Sequence, residues 1–416
     1  MTTIDTAESE YDPFEDFDRS VGIGVDDDPY PRFAEMRAGS PLSEEDVRAK
    51  AGLPDGPEGD AAAAALPRRF SAYSLDAVKR VFSDNETFSS EDAYTVGPVL
   101  GRTILEMDEP EHRSHRSLVQ QAFSRRVMEQ WETDIVPPIV DGYIDRFVDR
   151  GSAELMHELT FPFPVDVVAR LIGLPSSDVP RFHRWAVELI SFRFDPERGL
   201  AASASLWEYL AGILAERRTA PTDDFLSVLA HVEHDGERLT DDEIISFLRL
   251  LLPAGAETTY RGSSNTLFGL LTHPDQLDAV RADPALFPQT IEEALRWEAP
   301  LQFIRRRATI DTEVEGVAVP AGSIVACYMG SANHDEKHWE DPDAFDVFRT
   351  PRPHLAFATG PHMCLGMHLA RMETRVALAR LFARLPNLRL DDSVAPKPKM
   401  SGDLMRSPSS LPVLFG

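Results

Sequence analysis

Apolar residues along most of this chain recur every three to four positions, the spacing that gathers them on one face of an α-helix. The pattern predicts helices around residues 110–122, 126–149, 164–172, 178–192, 202–217, 223–231, 241–270, 274–282 and 289–297. A last long helix runs from about Leu365 to Leu385. Leu365, Leu369, Met372, Val376 and Ala379 form its apolar face, while Arg371, Arg375, Arg380 and Arg384 lie off it. Shorter helical patterns pass through Phe33, Met36 and Arg37 and through Ala77, Val78 and Val81. Strand signals are fewer: Arg69–Tyr73 and stretches near 302–309, 313–319 and 323–327. Many helices, a minor strand component and no internal repeat predict one mainly-α domain over residues 29–416. Residues 1–28, rich in Asp and Glu, read as an acidic, flexible N-terminal arm. Residues 44–66 contain Pro54-Asp55-Gly56-Pro57 and the alanines 61–65, and read as an insertion loop.

Charge narrows the function classes. The formal net charge of -27 argues against nucleic-acid binding, which needs clustered Lys and Arg on the phosphates. No leader and no apolar run of about 18 residues is visible, so neither export nor a membrane span is expected, and the expected setting is the cytoplasm. Two cysteines are too few for a disulfide framework or an iron–sulfur cluster. A strand-linked Gly-x-Gly-x-x-Gly for a dinucleotide is also lacking. A redox role would therefore draw its electrons from another protein.

Cys364 stands in Phe357-Ala358-Thr359-Gly360-Pro361-His362-Met363-Cys364-Leu365-Gly366, just before the last helical pattern. A lone cysteine is ordinarily a small buried hydrophobe. Here two glycines allow a tight turn and close approach to a flat group, and Phe357 can exclude water. The start of a helix should lower the thiol pKa and keep a thiolate available as a metal ligand. This run resembles the haem-binding loop of the cytochromes P450. The resemblance spans about residue 29 to the C-terminus and implies a P450-like fold, a long central helix over the haem, and small β-sheets.

Further motifs acquire roles through that resemblance. Ala254-Gly255-Ala256-Glu257-Thr258-Thr259 lies inside the 241–270 pattern, where Pro253 and Gly255 are costly in a helix interior and predict a local kink or widening. The resemblance makes Glu257 and Thr258 the catalytic acid–alcohol pair that relays protons to dioxygen, with the glycine leaving room for it. Read by themselves, the threonines are equally suited to bonding carbonyls one turn earlier. Glu293 and Arg296, one helical turn apart, would form a structural triad with Arg349. His112, Arg116, Arg306, His354 and His362 resemble the haem-propionate contacts, which need fixed cationic donors. Leu251, Ala254, Leu301 and Ile304 are candidates for an apolar substrate pocket, together with the stretches Tyr94–Ile104 and Trp185–Phe194. Arg113, Arg125, Arg126, Arg371 and Arg375 fall in segments that the family places on the cysteine side, where an acidic ferredoxin would be steered; they are equally read as solvated helix faces.

The expectation is thus a thiolate-ligated monooxygenase carrying haem b (iron protoporphyrin IX), with Cys364 as axial ligand. It would use O2 and a separate ferredoxin and ferredoxin reductase to hydroxylate or epoxidise a hydrophobic small molecule. One alternative is a peroxide-driven or non-oxygenating P450, against which the Glu257-Thr258 pair speaks. Another is a haem-based ligand sensor, for which no segment is left over as an output domain.

Overall fold

The 241–270 pattern becomes two helices joined by a wide turn. Thr240 caps the first through a reciprocal pair with Glu243, satisfying free N–H groups at the helix start. Pro253 then removes a donor, and the chain takes a π-helical turn over Pro253–Glu257 before regular α-helix resumes at Thr258. The computed structural model describes residues 28–53, 56–91, 97–193 and 195–416. Six helices carry or flank the candidate residues: α1 (Glu111–Gln120), α2 (Pro196–Thr219), α3 (Asp241–Leu252), α4 (Thr258–Thr272), α5 (Phe287–Trp297) and α6 (Met367–Arg384). Helix α4 is buried nearly all round and crosses α6 where the Ser263 and Thr374 hydroxyls meet at 3.0 Å.

Five short strands form the main sheet: β1 (Leu42–Glu44), β2 (Arg69–Ala72), β3 (Phe88–Ser89), β4 (Phe303–Ala308) and β5 (Ile324–Tyr328). Their order is β1-β2-β5-β4-β3. Only β2 and β5 pair in parallel, Arg69 opposite Ile324. Leu42, Phe70, Val78, Val325 and Cys327 build a core on this sheet, separate from the larger helical core.

Several boundaries differ from the sequence reading. The acidic arm falls outside the described residues, apart from Asp28. Residues 44–66 carry two short helices, Val47–Lys50 and Pro57–Ala64, where a loop was expected; Asp46 caps the first. The 126–149 pattern is broken into Arg125–Gln130, a π-turn at Trp131–Ile135 and Val136–Ile144, because Pro137 and Pro138 withhold backbone donors. The 313–319 stretch is a hairpin whose turn has positive φ at Glu315 and Gly316. Among the described residues no helix is long and apolar enough to cross a membrane.

Candidate haem-thiolate site

The Cys364 loop is fixed by its own backbone. Cys364 N–H donates to Phe357 O at 2.9 Å and Met363 N–H to Gly360 O at 3.1 Å. Gly360 has φ +77° and lies against the backbone of Phe82, where a Cβ would come within 2.3 Å of a carbonyl oxygen. Any other residue there would push the loop off the end of the helix Leu75–Ser83. Cys364 itself keeps a large accessible area, yet burial pushes its thiol above the ordinary pKa. That combination belongs to a side chain lining an interior cleft. The direction corrects the sequence expectation of a lowered pKa. The Gly366 N–H, Arg116 and Arg371 all favour the thiolate, but desolvation outweighs them. Cys327, the other free thiol, is fully buried and pushed up to about 12.

Four of the five basic candidates converge beside this loop. The rings of His112 and His362 stack with centroids 3.9 Å apart. Arg116, one turn beyond His112 on α1, donates to Met363 O at 2.6 Å. Arg306, on β4, stacks over Phe82 and donates to the carbonyl of its neighbour Arg305. Burial, then the charges of His112, Arg306 and Arg116, hold His362 down at about 3. His112 touches Glu109 through Nδ1, while its buried Nε2 has no partner. No carboxylate among the described residues pairs with Arg116 or Arg306. Crowded cations, an orphaned imidazole nitrogen and an accessible sulfur fit a group bearing carboxylates and a thiolate-binding metal.

His354 is not part of that cluster. Its Nε2 faces Glu292 at 3.2 Å and its Nδ1 accepts from Ala356 N–H. Glu292 also receives a forked pair from Arg371 at 2.6 and 2.7 Å, and Arg371 lies over the Phe357 ring. Burial would raise the Glu292 carboxyl, but His354 and Arg371 hold it down at about 2. Glu292 was missed by the sequence reading, hidden beside the more informative Glu293.

Glu293, Arg296 and Arg349 do meet. Arg296 forks onto Glu293 with two 2.8 Å bonds, and Arg349 Nε reaches Glu293 Oε1 at 3.1 Å. Arg296 also donates to the carbonyls of Asn333, Pro342 and Ala344. The triad therefore binds α5 to the segment 333–349.

On the central helix, Thr258 Oγ1 donates to Ala254 O at 2.8 Å, and Ala254 is exposed between the half-buried Pro253 and Gly255. Gly255 points elsewhere: a Cβ there would contact Leu251 and Val168 at 3.6 Å, so the room expected of the glycine lies at Ala254 instead. Glu257 is buried against Arg261, 3.3–3.4 Å away and wholly buried, the salt-bridged role that Glu257 alone suggests; the arginine four residues on was a legible partner left unnamed in the sequence reading. Leu251 is buried, and Leu301 and Ile304 are partly buried against the sheet core. Tyr94–Val96 and Phe194 lie outside the described residues. Of the expected docking arginines, Arg113, Arg125, Arg371 and Arg375 pair with Glu109, Glu129, Glu292 and Glu132, while Arg126 is exposed. A cavity of about 1160 Å³ lies elsewhere, between Val136–Ile144, Pro162–Ile172 and Val179–Ile190, and touches none of the candidate site residues.

Comparison with known proteins places this geometry. The family model described as Cytochrome P450 matches residues 202–415. Cytochrome P450 107B1 of Saccharopolyspora erythraea is 39% identical over 77% of this chain and 78% of that protein. The steroid C26-monooxygenase of Mycobacterium tuberculosis is 38% identical over 75% of this chain and 85% of its own length. The crystal structure of CYP109E1 from Bacillus megaterium in complex with testosterone superposes with a TM-score of 0.83 at 30% identity, covering 94% of this chain and all of that one.

Proposed function

The chain belongs to the cytochrome P450 family, as a haem-dependent monooxygenase, and from that premise we propose its reaction. It hydroxylates or epoxidises a hydrophobic small molecule, using dioxygen and electrons from a separate ferredoxin and its reductase. The cofactor is haem b, held by Cys364 through the iron and by His112, Arg116, Arg306 and His362 through the propionates. Bound there, the haem supplies the iron that activates dioxygen for insertion of one oxygen atom into an unactivated C–H bond. The observation carrying this reading is the convergence of four basic side chains, with no acid among the described residues on either arginine, beside a cleft-lining thiol.

The remaining chemistry falls to the chain's own residues. Thr258 holds its proton on Ala254 O, which leaves its hydroxyl oxygen free to accept a hydrogen bond from the cleft. Glu257, buried beside Arg261 and next in the chain to Thr258, is the acid placed to pass a proton toward it. Leu251, Leu301 and Ile304 supply apolar walls. Relatives described as a steroid monooxygenase and as a testosterone complex support a hydrophobic substrate. An acidic ferredoxin would displace Glu129, the exposed partner of Arg125, since surface ion pairs are worth only about 0–1 kcal/mol, and meet the exposed Arg113 and Arg126 directly.

The test is the absorption spectrum of the reduced protein under carbon monoxide. Wild type should show the strongly red-shifted Soret band of a thiolate-bound haem, and Cys364→Ser should lose it. Haem bound without that band in wild type would assign the iron another ligand and refute the proposal.

A further inference from the structure

Six arginines are buried among the described residues: Arg37, Arg249, Arg261, Arg296, Arg306 and Arg406. Four are closed by a carboxylate: Arg37 by Glu336, Arg261 by Glu257, Arg296 by Glu293 and Arg406 by Glu298. Arg306 has none, and it belongs to the cluster assigned above to an anionic ligand. Arg249 is the other exception. In a chain with 69 acidic residues against 42 Lys and Arg, a buried guanidinium without an acid is not explained by scarcity.

Arg249 interrupts the apolar run Phe247-Leu248-Arg249-Leu250-Leu251 of α3, a little over one turn before Ala254. Nη1 donates to Val99 O at 3.1 Å and Ser203 Oγ at 2.7 Å, and Nη2 reaches Ser246 Oγ at 3.4 Å. All three acceptors are neutral. The buried Nε–H has no partner. Burial lowers the guanidinium pKa, and Asp242 is the one acid whose charge opposes this, without a bond to it. Three elements thus converge on one uncompensated cation: segment 97–101, α2 and α3. Gly101 approaches so closely that a Cβ there would lie 3.1 Å from Nη2 and 2.5 Å from Ser246 Oγ. Val99 and Leu100 in that segment, and Phe247, Leu250 and Leu251 on α3, are all buried and apolar.

Hydrogen bonds to a carbonyl and two hydroxyls take up the Nη groups of Arg249 but leave its Nε–H unpartnered and its charge unmatched in apolar surroundings, which a purely structural tie would not need. We propose that Arg249 recognises a carboxylate on the substrate, so that the substrate is a hydrophobic carboxylic acid rather than a neutral lipid or macrocycle. The guanidinium fork suits a carboxylate in two-point contact. Its position fixes the acid end of the substrate toward the start of the central helix and leaves the apolar body to extend past Leu250 toward Ala254. This inference rests on the monooxygenase reading and names the substrate class of that same site.

The experiment is calorimetric titration of the holoenzyme with a fixed panel of acids, each beside its methyl ester: dodecanoic and hexadecanoic acids, a cholanic acid and a naphthyl-alkanoic acid. At least one wild-type scaffold should bind tenfold or more tightly as the acid than as the ester. Arg249→Met should abolish that preference while leaving ester binding within about threefold, and Arg249→Lys should retain part of it. A wild type that binds no acid more tightly than its ester overturns the proposal, even if Arg249→Met does not fold. So does a preference that survives in Arg249→Met. Heat of binding is read independently of the carbon monoxide spectrum, so failure of acid recognition in a protein that shows the thiolate band counts against Arg249 alone. Absence of that band from wild type counts against the monooxygenase reading instead.

Discussion

The corner around Arg296 and the cleft around His362 both bury positive charge, and they do so in opposite ways. At Arg296 the guanidinium forks onto Glu293, Arg349 closes the other side of the same carboxylate, and backbone carbonyls take the remaining N–H groups. At His362, two imidazoles and two guanidinia face one another, with Glu109 alone touching His112. The first arrangement is complete as protein. The second is repulsive as protein and becomes balanced when an anion enters. Completeness therefore separates residues that hold the fold from residues that hold a ligand.

The largest expected effect breaks the complete side. Glu293→Gln leaves the buried Arg296 and the half-buried Arg349 without their acid and should lower stability by about 3–5 kcal/mol, read as a shift of the urea midpoint. A midpoint equal to that of wild type would remove the distinction between the regions. On the incomplete side, Arg306→Ala should hardly move the urea midpoint of haem-free protein but should speed haem loss to a scavenger apoprotein. Removing a charged hydrogen-bond donor costs about 1.5–3 kcal/mol, or roughly 10–100-fold in retention.

Acidity sharpens the contrast further. His362 is held near 3 in the fold, below its unfolded value, so between about pH 6.5 and 3 the unfolded chain binds a proton that the folded chain refuses. Haem-free protein should therefore lose stability as pH falls through that window, by roughly 2 kcal/mol at pH 5 from this group. His362→Gln should flatten the dependence, followed by thermal melts at pH 7 and pH 5. The smallest effect concerns an acid rather than a base. Glu373 is buried in α6 with Oε2 unpartnered and its pKa raised by burial, so it opposes stability increasingly as pH rises past the unfolded carboxyl range. Glu373→Gln should raise the melting temperature at pH 8 by a few degrees, and the gain should fade toward pH 4.

What the sequence displayed depends on the length scale of each interaction. The Cys364 loop and the Glu293–Arg296 turn are local, so their residues stand close together in the sequence, and the family resemblance gave them their roles. The break in the central helix was legible because Pro253 must interrupt any α-helix that contains it. Arg349 and the basic cluster were reached through the family resemblance, since their partners lie far along the chain. The Tyr30–Glu298–Arg406 group, joined across 268 and 108 positions, has no local signature at all. The Cys364 thiol illustrates a different limit. The helix start that favours its anion is visible in the sequence, whereas the desolvation that outweighs it exists only once the fold surrounds the sulfur. His354 was misplaced for a related reason: a histidine ten residues before the cysteine carries no mark of which face its ring will take.

The parallel pairing of β2 with β5 has a consequence for how the protein is made. Roughly 250 residues must be synthesised after Arg69 before Ile324 emerges, which at ordinary translation rates takes about 12–50 s. Throughout that interval β2 has only β1 beside it, and Gly360, whose loop leans on Phe82, does not yet exist. Cys364 and its loop arrive later still. Haem capture therefore waits until the chain through Cys364 has been made, and until then the unfinished sheet edge is open to another partner.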